Sequence, residues 1–170
     1  AVAAGVFDPA ALDQKDRSGT TLRDALVAFG GDPAALAGEA FQPSSVLGYL
    51  EVHIEQGPVL ERTNAPLGVV TAIASQSRHR IRIRGEAGHA GTVPMAMRRD
   101  ALVAASELIV GIEAIARKDR KNSLVATVGE IEALPGASNV IPAEVRLSLD
   151  VRAASDEARR AAVAAMLSLA

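Results

Sequence analysis

From Arg78 to Arg84 an arginine stands at every second position, and His79, Ile81 and Ile83 fill the places between. A period of two puts the arginines on one face and the apolar residues on the other, which is the pattern of a strand in a sheet covered on one side only. This strand is predicted to begin near Gln76. Leu102, Ala105, Leu108, Ile109, Ile112 and Ile115 then recur at three- and four-residue spacing, which predicts one long helix, opened by Pro94 and running to about Lys118. Two strands are expected over 123–132 and 143–152, joined by a loop at 133–142 with Pro, Gly, Ser and Asn punctuation. Ser155 can cap a last helix, with Asp156 and Glu157 in its first turn where the helix dipole favours anions. Strand, helix, strand, strand, helix is the order of a ferredoxin-like α+β unit that lacks its final strand. Such a unit has an unpaired sheet edge, which invites pairing with another chain.

The stretch ahead of this unit has a different grain. Thr20 or Thr21 can cap a helix whose Leu22, Leu26 and Phe29 share a face, and Gly30-Gly31 ends it. Asp32-Pro33 begins a further helical turn. Leu50, Val52 and Ile54 alternate with Glu51, His53 and Glu55, which predicts a strand with His53 on its polar face. Gly57-Pro58 stops that strand and opens a short helix, and another strand is expected at 67–73. The change of pattern near Thr71 divides the chain into domains 1–72 and 73–170.

Composition removes several function classes. The chain has no cysteine, so disulfides and thiolate metal sites are excluded and any metal must rely on His and carboxylate. The net charge is -2, and aromatics are 2% of residues, a poor basis for binding nucleic acid despite the arginine row. A solvated sheet face or a subunit contact is the expected use of that row. No apolar run approaches the length of a membrane span and no charged-then-apolar leader is visible, so a cytoplasmic chain with no membrane partner is expected.

Three places carry candidate chemistry. His53 among carboxylates offers nitrogen and oxygen donors of the kind zinc accepts, although a single His at a strand end is commonly just a polar residue. His89 lies in the Gly-rich turn GEAGHAGT and is expected just before the long helix, where free backbone amides favour anions; it can donate a hydrogen bond to an oxyanion, or be a plain turn residue. Arg152 at a strand end can clamp a carboxylate through two parallel hydrogen bonds, with Asn139 in the preceding loop as donor and acceptor. Both also suit ordinary roles, Asn139 as a turn former and Arg152 as a solvated side chain.

Three segments resemble one family in the same order: EVHIEQGPVLE at 51–61, RGEAGHAGTVPM at 84–95 and GASNVIPAEVRLSLDVR at 136–152. The chain is similar to the allantoate amidohydrolases, N-carbamoyl-L-amino acid hydrolases and β-ureidopropionases, a branch of the zinc aminoacylase and carboxypeptidase-like peptidases. The resemblance implies part of a metal-binding α/β catalytic domain followed by a ferredoxin-like lid that carries the dimer contact. It implies that His53 ligates one of two zinc or manganese ions. It also implies that His89 reaches the neighbouring subunit's site to stabilise a tetrahedral intermediate, and that Asn139 and Arg152 hold the substrate carboxylate. Gln76 corresponds to a substrate-contacting Gln of some members, although Ser75 precedes it where many relatives have Gly.

The implied reaction is metal-assisted hydrolysis of a ureido C–N bond in a small ureido-carboxylate, with release of ammonia by a homodimer. Val93 leans toward allantoate. Glu51, Glu55 and Gln56 are expected to have no catalytic part, because the family's acidic pair lies upstream. The resembled enzymes are more than twice as long, so a piece of a larger enzyme, inactive by itself, is expected. A lid-like dimerisation or ligand-binding module without chemistry, and a dipeptidase or aminoacylase relative, are the alternatives.

Overall fold

The computed structural model describes residues 1–119 and 121–169. The chain divides into two compact units, Ala1–Pro66 and Leu67–Ala170.

In the first unit a single-turn segment, Pro9–Asp13, sets Leu12 as its one buried hydrophobic residue, and helix α1 spans Leu22–Ala28. Thr21 is the cap: its hydroxyl accepts the Asp24 N–H at 3.0 Å and donates to the Asp24 carboxylate at 2.6 Å. Gly30, at φ 93°, turns the chain out of the helix, as the sequence predicts. Helix α2 is a single turn, Val59–Arg62, following Pro58.

Two predicted strands do not form. Residues 50–55 are irregular, with Leu50 and Val52 each 91% exposed, and residues 67–73 have no ladder either. Alternation creates an amphipathic strand only when a second strand accepts its hydrogen bonds. Among the described residues the first unit offers no such partner, its sole pairing being the isolated bridge Lys15–Thr21.

The second unit is an antiparallel sheet with helices on one face. Strand β1, Ser75–Arg84, is followed by the short β2, Gly88–His89, and helix α3, Ala101–Lys118. Strands β3, Val125–Thr127, and β4, Ile131–Leu134, lead through β5, Val140–Ile141, to β6, Glu144–Ala153, and helix α4, Asp156–Leu167. β6 is central: it pairs along its whole length with β1, from Ser75–Ala153 to Arg84–Glu144, and on its other side with β3 and β4. Among the described residues β1 has no strand on its outer edge. β2 and β5 form a separate ribbon.

The core follows from the period of two. Val145, Leu147, Leu149, Val151 and Ala153 point from β6 into the helix layer and are buried. Ala101, Ala105, Leu108 and Ile112 of α3 and Ala162 and Met166 of α4 meet them, with Ile81 and Ile83 of β1 at the margin. The arginine row faces away from the helices and is partly neutralised in place: Arg78 pairs with Asp150, and Arg82 and Arg146 with Glu144.

Two further expectations are corrected. The long helix starts at Ala101, not at Pro94, which opens only the turn Met95–Met97. Asp100 is the cap, its Oδ1 accepting the N–H groups of Leu102 and Val103 at 2.9 and 3.2 Å. The chain ahead of it cannot coil because it is tied sideways: Glu86 N–H donates to Arg99 O at 2.8 Å and Ala101 N–H to Pro142 O at 3.1 Å. Gly85 makes this possible, since a Cβ there would lie 2.0 Å from Arg99 O. The strand expected over 123–132 is broken into β3 and β4. Glu130 N–H donates to the Ser148 hydroxyl at 3.0 Å, and Ser148 N–H to Glu130 O at 3.1 Å, so the edge departs from the ladder and rejoins it around Gly129.

Candidate functional site

The second unit holds its candidate residues in two groups, one on the β2–β5 ribbon beyond one end of the sheet and one at the sheet's other end. At the first end, β2 pairs with β5, with His89 opposite Val140, and Ala90 N–H donates to the Asn139 carbonyl at 2.9 Å. His89 and Asn139 therefore share one exposed turn. Gly91 N–H donates to His89 Nδ1 at 3.0 Å, so the neutral ring carries its proton on Nε2 and presents a donor to solvent. Arg98 braces the turn from below, with Nη2 donating to Ala90 O at 2.6 Å and Nε to Val93 O at 3.1 Å. Sequence reasoning missed Arg98. Its only signal is the basic pair Arg98-Arg99 that closes the apolar run after the Gly-rich turn.

The helix-end setting expected for His89 is not present. α3 begins well after it, and the side chain of Asp100 already accepts its free N–H groups. What holds His89 is the two-stranded ribbon.

The second group lies where β1 starts and β6 ends. Gln76 and Arg152 are direct partners in the ladder, and their side chains converge on Asp150. Arg152 donates through Nε to Oδ1 at 3.0 Å and through Nη2 to Oδ2 at 3.3 Å. Gln76 Nε2 donates to Oδ2 at 2.6 Å and Arg78 Nε at 3.2 Å. These donors, Arg152 first, hold the Asp150 carboxyl at a pKa of about 2, and Asp150 in turn raises the pKa of Arg152. Asp150 was missed in the sequence, although the period of two in SLDVR puts Ser148, Asp150 and Arg152 on one face.

Asn139 and Arg152, expected to act together, are not joined. β1 and β6 pair from Ser75–Ala153 at the Arg152 end to Arg84–Glu144 at the His89 end. From Glu144 to Arg152 the strand rises about 3.3 Å per residue, or roughly 26 Å in all. The ribbon is anchored at the Glu144 end through Gly85, Ala101 and Pro142.

His53 lies in the irregular, exposed segment of the first unit. Its Nδ1 contacts the Ile54 carbonyl, the arrangement that leaves Nε2 free as a ligand atom. Its neighbours are otherwise engaged. Glu55 caps α2, accepting Val59 N–H at 3.1 Å and Leu60 N–H at 3.0 Å, and Glu51 accepts the Tyr49 hydroxyl at 2.7 Å. Among the described residues no three His, Asp or Glu side chains converge as a metal site. One imidazole suits a metal, but the residues present do not make a metal centre. Among the described residues no helix is long and apolar enough to cross a membrane.

Residues 75–170 match the family described as the peptidase dimerisation domain. Over 180 residues the chain is 43% identical to allantoate deiminase of Arabidopsis thaliana, aligning 95% of this chain with 34% of that protein. It is also 43% identical over 156 residues to the N-carbamoyl-L-amino acid amidohydrolase of Geobacillus stearothermophilus, across 92% of this chain and 38% of the relative. Among solved structures, an amidase of the hydantoinase/carbamoylase family from Burkholderia multivorans superposes with a TM-score of 0.86 at 35% identity, over 98% of this chain and 40% of that one. The chain thus spans well under half the length of the relatives it matches. It belongs to the peptidase dimerisation domain family, in the lineage of the hydantoinase/carbamoylase amidases.

Proposed function

We propose that this chain is the lid-bearing part of a homodimeric, metal-dependent amidohydrolase that cleaves the ureido C–N bond of allantoate or an N-carbamoyl-L-amino acid, working in the cytoplasm. The observation that carries the reading is the division of the candidate residues between the two ends of one sheet. A ureido-carboxylate is only a few bonds long, so one copy of the sheet does not apply both groups to one molecule. Two copies in a dimer do, with His89 and Asn139 of one lid completing the site that contains Gln76 and Arg152 of the other.

In that site Arg152 clamps the substrate carboxylate by its planar fork, a geometry lysine does not reproduce. The Nε2–H of His89 is a donor for the oxyanion that develops on the carbamoyl carbon, and the Asn139 side chain supplies a further polar contact from the same turn. His53 is the residue of this segment that would hold zinc or manganese, together with ligands from elsewhere in the full-length protein, and such an ion would supply Lewis acidity to a bound water. Gln76, already bound to Asp150 through its amide nitrogen, offers its oxygen to a ureido N–H. The division of the chain after Pro66 supports reading the first unit as metal-side and the second as lid, and a hinge near Thr71 belongs to the same proposal.

The test is ammonia release by the full-length gene product. Release from allantoate or N-carbamoyl-L-amino acids, abolished by a chelator, is the expected result. Cleavage of simple dipeptides instead would favour a dipeptidase relative, and no turnover with any of them would leave the non-catalytic dimerisation module.

A further inference from the structure

Arg152 presents five N–H donors, and the structure shows how they are divided. Asp150 takes Nε–H and one N–H of Nη2, a side-on pair at 3.0 and 3.3 Å. Among the described residues the end of the fork, formed by Nη1 and the other N–H of Nη2, is left open, and that edge matches a second carboxylate by two parallel hydrogen bonds. Arg152 remains 48% exposed, so the open edge reaches solvent, while the Asp150 side chain is 28% exposed and is tucked between its donors. Asp150 Oδ2 also receives Gln76 Nε2 at 2.6 Å and Arg78 Nε at 3.2 Å. One acceptor thus fixes three side chains from two strands. With Arg78 and Arg152 against Asp150, the group keeps one net positive charge, enough to attract one anionic head.

We infer that Asp150 is the positioning residue of the substrate-carboxylate clamp: it locks Arg152 side-on so that the end of its guanidinium faces the ligand, and it sets the Gln76 amide with its oxygen outward. The inference rests on the reading of Arg152 given above. Asp150 touches no reacting atom. Its effect is on how well the carboxylate is held, so it belongs to KM rather than to the chemical step. Without Asp150 the guanidinium regains its rotamers and binding has to order it anew. Arg78 serves as the counter-charge that keeps Asp150 from cancelling the clamp.

The test uses the full-length enzyme with an N-carbamoyl-L-amino acid and with the carboxamide of the same compound, which lacks the charge the clamp reads. Asp150→Ala and Asp150→Asn are each combined with Arg152→Lys. Asp150→Ala is expected to raise KM for the acid about tenfold with kcat within about twofold, and to lower kcat/KM for the carboxamide by no more than about twofold, the share that passes through Gln76. In the Arg152→Lys background the same change is expected to add less than about twofold, because the group it orients is gone. Asp150→Asn keeps the shape and one good acceptor, so it gives an intermediate KM and carries the test by itself in the event that Asp150→Ala misfolds.

Several outcomes overturn the assignment. Unchanged KM in both Asp150 variants, or an equal fold-loss with and without Arg152, shows that Asp150 does not act through the clamp. Equal losses on acid and carboxamide show a general structural role. If Arg152→Lys itself leaves KM for the acid unchanged, the clamp reading fails and this inference with it. If Arg152→Lys raises KM while the Asp150 variants do not, only the positioning role fails.

Discussion

Arg152 and His89 show how much a single residue's chemistry depends on what its remaining atoms do. Arg152 is half-committed to Asp150, and His89 accepts from Gly91 at Nδ1, which decides that Nε2 is the outward donor. Neither commitment can be read from residue identity. The carboxylates of the lid point to a stability consequence. The folded pKa of Asp150, about 2, lies below its ordinary value near 3.8, so its contribution is complete above about pH 4 and is lost as pH falls through 2. Glu144, held low by Arg146, and Asp156, held low by Arg159, act in the same direction. Unfolding of this chain followed by denaturant at pH 7, 4 and 2.5 is expected to show little change between pH 7 and 4 and a fall between 4 and 2.5. Asp150→Asn is expected to flatten the fall by on the order of 1 kcal/mol once solvent screening is allowed for. An identical pH dependence in the variant would show that Asp150 is not held by its partners in solution.

At the scale of the element, the long segments were legible and the connections were not. β1, β6, α3 and α4 follow from period two or from three- and four-residue spacing, because each buries one face against the others. The start of α3 was misplaced by several residues. Pro94 is a good first residue of a helix, but the hydrogen bonds from Glu86 to Arg99 and from Ala101 to Pro142 tie the chain down after the single turn Met95–Met97. Those are long-range ties, which local pattern does not encode. Residues 50–55 have a strand's alternation without a strand's partner. Asp100 carries the true start, and Asp100→Ala is expected to cost about 1 kcal/mol of stability, measured by denaturant unfolding. A cost near zero would mean that the tether through Gly85, and not the cap, sets the first turn.

For the whole molecule, the two candidate groups were legible as residues but not as groups. His89, Asn139, Gln76 and Arg152 all stand out in the sequence, yet it paired Asn139 with Arg152. The antiparallel register sends β1 and β6 in opposite directions along their full length, and that alone separates the ribbon turn from the Arg152 end. Register is a property of the assembled sheet, so spacing in the chain could not supply it. The outer edge of β1, unpaired among the described residues, is an edge that the second copy invoked in the proposed function could use.

Subunit mixing tests this central claim most directly. Full-length His89→Ala subunits, inactive as a homodimer, are co-expressed with full-length Arg152→Lys subunits, whose raised KM leaves them nearly silent at a substrate concentration well below it, and ammonia release is measured on the purified mixture at that concentration. If the two groups come from different subunits, each mixed dimer contains one site with both residues intact, and about a quarter of wild-type activity returns on random pairing. If the groups act within one subunit, every site in the mixture carries a defect, and activity at the level of the separate variants would contradict the account.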